Sequence, residues 1–184
     1  MTERGTRIFI ALALTSSLCG CSAVNRGTIK EMGGPPSVPM NTNSYPVVVL
    51  DVKSDLADSK SETKTLETFL ADKFAKKRIF DRVILPGMGG DLPEHTVRVA
   101  VIIKNLRRVE PTDRMVAGAF AGSARVTALV EVTEIGTGKR LDIFEAEGVS
   151  AMGTILTAYQ GDTSHALESL ADQVVERFEG LHDR

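Results

Sequence analysis

Hydrophobic and polar positions change period several times along the chain. Val47-Val48-Val49-Leu50-Asp51-Val52 is a nearly continuous β-branched run. Such a run suits a strand buried on both faces. Leu66, Phe69, Leu70 and Phe74 then recur at helical spacing, which places them on one face of a helix over Ser61 to Lys77. Ser59 followed by Glu62 offers a capping box at its start. Lys73, Lys76, Lys77 and Arg78 put cations at the end where the helix dipole favours them.

Ile79 to Leu85 reads as a second strand, closed by Pro86-Gly87-Met88-Gly89-Gly90. A longer strand follows from His95 to Val109, with Val97, Val99, Val101 and Ile103 on one face. Arg125 to Ile135 and Leu141 to Val149 flank Gly136-Thr137-Gly138-Lys139-Arg140, the pattern of a hairpin. Pairing Val132 with Phe144 and Val130 with Ala146 gathers Val126, Ala128, Val130, Val132, Phe144, Ala146 and Gly148 on one apolar face. Thr127, Glu131, Thr133, Glu145 and Glu147 then fall on the other, which meets water. A one-residue slip would destroy this separation.

Asp162 or Thr163 caps a last helix running to Glu179, with Ala166, Leu167, Leu170, Ala171, Val174 and Phe178 as its buried stripe and Gly180 as its stop. This order predicts an α+β fold: a two-layer sandwich whose mixed β-sheet of about five strands carries two main helices on one face.

Upstream of the domain the pattern is of another kind. Arg4 and Arg7 precede an apolar stretch, Ile8 to Leu18, of the length secretory signals use. It is shorter than the roughly 20 residues a bilayer-spanning helix needs. It ends in Leu18-Cys19-Gly20-Cys21, which resembles a bacterial lipobox. That resemblance implies cleavage before Cys21, lipidation of Cys21, and a membrane anchor of several acyl chains. Ser22 at the next position implies sorting to the outer membrane. Ser22 to Ser44, with Gly33-Gly34-Pro35-Pro36 and Pro39, has no apolar period and reads as a flexible tether. The expected division is therefore a signal peptide over 1–20, a lipidated Cys and tether over 21–44, and one domain over 45–184.

Composition narrows the function. The 184 residues are 42% hydrophobic and 25% charged, enough for a sizeable core. Lys and Arg number 22 against 24 Asp and Glu, with no Trp and two Tyr. That balance gives no electrostatic footprint or stacking platform for nucleic acid. The chain has only two Cys, Cys19 and Cys21, both beside the signal, so the domain stands without disulfides.

Val47 to Val52, the small-residue stretch Ala117 to Ala124 and Thr137-Gly138-Lys139, behind a lipobox, resemble bacterial envelope lipoproteins of a domain-of-unknown-function family. The element order is similar to the domain shared by the lipoprotein activators of peptidoglycan synthases, the TolB amino-terminal domain and the core of the curli secretion lipoprotein. The resemblance implies an outer-membrane-tethered interaction module and supplies no catalytic residues to carry over. The chain lacks the two long alternating hairpins that would line a pore.

The candidate chemistry is thin. Gly136-Thr137-Gly138-Lys139 lacks the first Gly and the final Ser or Thr of a phosphate loop and lies between strands, so it reads as a turn. Gly87 to Asp91 opens no helix. His95, His165 and His182 share no ligand spacing, so neither a metal nor a cofactor is expected. Glu131, Glu145 and Glu147 gather on one hairpin face and read as solvated carboxylates. Lys76-Lys77-Arg78 reads as a solvated helix end. No serine sits in a nucleophile motif. Met115, Val116 and Phe120 give the Gly/Ala-rich connection its only bulk and form a candidate partner-binding loop.

The sequence therefore predicts a non-enzymatic lipoprotein, held on the outer membrane through Cys21 and facing the periplasm. It would bind an envelope protein or a cell-wall component. Two alternatives stand beside it: a subunit of an envelope secretion or surface assembly, forming homo-oligomers, and a small periplasmic hydrolase.

Overall fold

Val97, Val99, Val101 and Ile103, at alternate positions of the long strand, set the architecture, because they give the sheet one dry side. A computed structural model describes residues 27–32, 42–88, 91–109, 122–150 and 163–182. In chain order the elements are β1 (Thr28–Glu31), a 3-10 turn (Thr42–Ser44), β2 (Val47–Ser54), α1 (Lys60–Lys77), β3 (Arg82–Ile84), β4 (Thr96–Arg107), β5 (Arg125–Glu134), β6 (Arg140–Val149) and α2 (Thr163–His182). The strands form one six-stranded sheet in the order β1-β6-β5-β4-β2-β3. β2 is parallel to both β3 and β4, and the remaining pairs are antiparallel.

Both helices lie on the dry side. Val48, Leu50 and Val52 of β2, Val97 to Ile103 at alternate positions of β4, and Val126 to Val132 at alternate positions of β5 are buried beneath them. α1 contributes Leu66, Leu70 and Phe74, and α2 contributes Ala166, Leu167, Leu170, Ala171, Val174 and Phe178. Phe74, Phe80 and Phe178 meet edge to face, with centroids 5.3 to 5.7 Å apart, an arrangement that suits the ring quadrupoles. α2 reaches β6 closely because Gly148 has no side chain: a Cβ there would stand 2.1 Å from the Ala166 carbonyl oxygen. The α+β sandwich is as the sequence predicts, with one strand more.

That extra strand comes from the segment read as a tether. Thr28 to Glu31 pairs with β6, Thr28 opposite Glu147 and Glu31 opposite Phe144. Its only inward apolar residue is Ile29, so it leaves no period in the sequence.

Other local expectations fail for identifiable reasons. β2 is buried on both sides only at its start, where Val47 and Val48 are both covered; further along, Val49 and Asp51 on the outward side are half exposed. The capping box does not form, because Ser59 Oγ donates to the Leu56 carbonyl at 2.8 Å and Glu62 accepts from Arg108. The second strand shrinks to three residues. Arg78 takes a left-handed conformation (φ 53°) to end α1, and the Ile79 N–H bonds back to the Phe74 carbonyl. The backbone from Arg78 to Ile79 is thus spent on the cap, and Ile79 and Phe80 drop into the core as loop residues.

The hairpin pairs Val130 with Phe144 and Ala128 with Ala146, two residues from the expected register. The turn closes early, with the Glu134 N–H on the Lys139 carbonyl at 2.9 Å, and a register shift sits between Val132 and Thr133. Because the slip is even, every side chain keeps its predicted face. Finally, α2 runs through Gly180 to His182 rather than stopping there.

Candidate functional site

Cys21 and the loop residues Met115, Val116 and Phe120 lie outside the described residues. His95 is exposed before β4 and His165 lies in the first turn of α2, far apart in the topology. Among the described residues no group of three His, Cys, Asp or Glu side chains could hold a metal ion. The Gly136–Lys139 segment is a turn whose polar groups serve each other: Thr137 Oγ1 donates to Glu134 and accepts from the Lys139 N–H at 3.2 Å.

A cavity of about 650 Å³ opens between the end of β2, the loop 55–59 and the first turns of α1. Its hydroxyls are committed within the loop itself. Ser54 Oγ accepts from the Leu56 N–H at 3.1 Å, and Thr63 Oγ1 donates to the Ser59 carbonyl at 2.8 Å. Thr42 and Ser169, the buried hydroxyls without a partner among the described residues, do not line it. The hollow is a loop end and offers no ligand a set of waiting donors.

The side of the sheet opposite the helices is different. Among the described residues no helix covers it, and only its end at Val47 and Thr96 is buried. Its composition follows from register. One row of paired positions carries Asp51, Ala100, Glu131 and Ile143. The next carries Lys53, Ile102, Leu129, Glu145 and Lys30. Ala100, Ile102, Leu129 and Ile143 therefore adjoin as an apolar centre, and all four are only half buried. The three carboxylates predicted for this face are on it, and all are half buried rather than freely solvated. Glu147 bonds to Arg125 at 3.1 Å. No ion pair joins Glu131 or Glu145 to a described residue. Lys53 bridges to Asp51 on its own strand at 2.7 Å, with most of its side chain in water.

An apolar centre ringed by charges of both signs is the anatomy of a protein-binding surface. It offers no nucleophile, no paired acid and base within a cleft, and no phosphate cradle. Ile102 and Leu129 carry a signal in the sequence. Each is apolar at an outward position of a strand whose inward positions are already apolar, and each interrupts the alternation.

No family model matches the chain, and no curated protein matches it. Its fold does match solved structures. The PelC dodecamer from Paraburkholderia phytofirmans aligns with a TM-score of 0.57 at 14% identity, over 83% of this chain and 97% of that one. A point-substituted form of the same dodecamer gives 0.56 at 14% identity over the same shares. A minor lipoprotein from Acinetobacter baumannii aligns at 0.44 and 13% identity over 74% of this chain and 94% of that one, too loosely to carry an argument. The likeness to PelC is a likeness of fold.

Proposed function

We propose that this protein is a non-enzymatic interaction module of the bacterial envelope, anchored on the periplasmic side of the outer membrane through lipid on Cys21. The observation that carries the reading is the uncovered sheet face, with Ala100, Ile102, Leu129 and Ile143 at its centre. Apolar side chains gathered on a sheet face that no described helix covers are suited to contact with a partner. β1 adds a constraint on posture. Thr28 follows Cys21 by seven positions, at most about 25 Å of extended chain. The anchor thus holds the sheet end that carries Thr28, Arg125 and Val149 near the bilayer, with the uncovered face to the side.

A second reading is a subunit of an envelope assembly built from copies of one chain. It is supported by the shared fold with PelC, which was solved as a dodecamer.

Crosslinking in living cells, followed by mass spectrometry, tests both. A discrete crosslinked partner that is lost in Cys21→Ala supports the tethered module. Crosslinks between copies alone favour the assembly subunit. Unchanged membrane attachment in Cys21→Ala refutes the anchor.

A further inference from the structure

The uncovered face carries a pattern that says what would cover it. The row through the middle of the sheet runs Lys53 on β2, Ile102 on β4, Leu129 on β5 and Glu145 on β6. Read across these four strands it is cation, apolar, apolar, anion; Lys30 of β1, paired with Glu145, ends the row beyond them and meets no strand in the arrangement below, because β3 reaches only the level of Val49. These four strands are adjacent in the sheet, with β4 and β5 at its centre. Such a row is self-complementary under one symmetry operation and self-repelling under another.

Consider two copies stacked face to face, about 10 Å apart as packed sheets are. A two-fold axis parallel to the strands, between β4 and β5, exchanges β4 with β5 and β2 with β6. Ile102 of each copy then lies over Leu129 of the other, and Lys53 of each lies over Glu145 of the other. Both contacts occur twice, as in any isologous interface. An axis running across the strands would instead set Lys53 over Lys53 and Glu145 over Glu145, like on like. The charges therefore favour the first arrangement and oppose the second. Glu131, which has no ion pair with a described residue, falls in the first arrangement over the β4 segment that carries Arg98 and Ala100.

We infer that a second copy of this chain docks on the uncovered sheet face, in a two-fold dimer centred on Ile102 and Leu129 and fixed in orientation by Lys53–Glu145 pairs between copies. The inference rests on the proposal that this face is the interaction surface, and commits it to a self-partner. Lys53 gives up little in turning to a second copy, because its present bridge, to Asp51 on its own strand, leaves most of the side chain in water.

The test is sedimentation of the mature chain extracted in mild detergent, over about 1 to 100 µM. The wild type should show a concentration-dependent dimer. Lys53→Glu and Glu145→Lys should each raise the dimer dissociation constant about tenfold or more, since each sets two like-charged pairs in the interface. The double variant K53E/E145K should return it to within about threefold of wild type. Leu129→Arg should abolish the dimer, and an unchanged melting temperature would show that the fold is intact. A monomer at every concentration overturns the inference. So does an oligomer indifferent to the charge reversals, or a double variant no better than the singles. Crosslinking in cells from this face, scored in parallel, separates the two failures: a monomeric chain whose face crosslinks to a different protein overturns the self-partner alone, and a monomeric chain whose face crosslinks to nothing overturns the interaction surface as well.

Discussion

Arg177 of α2 donates from Nε to Asp142 Oδ2 on β6 at 3.2 Å, and from Nη1 to Glu31 on β1 at 3.1 Å. One guanidinium thereby joins a helix and the two outermost strands on that side of the sheet, and it stacks over the Phe144 ring at 5.6 Å. Asp142 is almost wholly buried, so its partner matters more than that of exposed Glu31. Arg177→Met should lower stability by about 2 kcal/mol, because it leaves a buried carboxylate without its cation. Glu31→Gln should cost under about 0.5 kcal/mol. Urea unfolding of both variants checks the asymmetry.

Gly148 is where α2 touches β6. A Cβ would meet the Ala166 carbonyl oxygen at 2.1 Å and the Leu170 amide nitrogen at 2.4 Å, both backbone atoms that cannot swing aside. Gly148→Ala should therefore destabilise by about 2 to 3 kcal/mol despite adding a single methyl group. A smaller loss in thermal unfolding would mean that α2 shifts freely on the sheet.

Phe74 packs edge to face with both Phe80 and Phe178, and all three rings are buried. Phe74→Ala should cost about 3 to 5 kcal/mol by emptying the junction of α1, α2 and the chain after α1. Phe74→Leu should recover more than half of that in the same chemical-denaturation experiment.

Two of the groups whose ionisation the fold shifts, Glu62 and Lys73, make stability depend on pH in opposite directions. Glu62 is held below its ordinary 4.5, chiefly by the hydrogen bond from Arg108 and against the cost of burial. A depressed carboxyl contributes stability above its unfolded pKa and loses it as pH falls through the folded value. For Lys73, burial opposes the charge, but Asp172 at 2.6 Å and Glu168 at 3.6 Å outweigh it and hold the group above 10.5. Its contribution is complete below the unfolded pKa and is lost as pH rises through the folded one. Melting temperature against pH should accordingly lose slope below pH 4.5 in Arg108→Gln and above pH 10.5 in Lys73→Met.

The core was legible in the sequence because its signals are periodic. Val97 to Ile103 and the stripe from Ala166 to Phe178 are buried as the spacing predicts. β1 was illegible because four residues with one inward apolar side chain make no period. It is held instead by ladder bonds to β6 and by Arg177, which is remote in sequence. The hairpin register depended on where the turn closes, and glycine at two of its positions leaves that choice to tertiary packing. Of the candidate site, the acidic positions were legible from the hairpin alternation. The apolar centre was not, because Ile102 and Leu129 become neighbours only once β4 and β5 are laid side by side.

β1 also decides how the fold would answer a mechanical pull. The chain leaves it at Thr28, beside the carboxyl end of β6. Tension on the amino-terminal side, directed away from that end, runs along the strand axis. The ladder bonds to β6 are then loaded together, in shear, rather than peeled one after another. A short strand in that geometry is a stiff coupling, and force applied on the amino-terminal side would reach the sheet before it opened the domain.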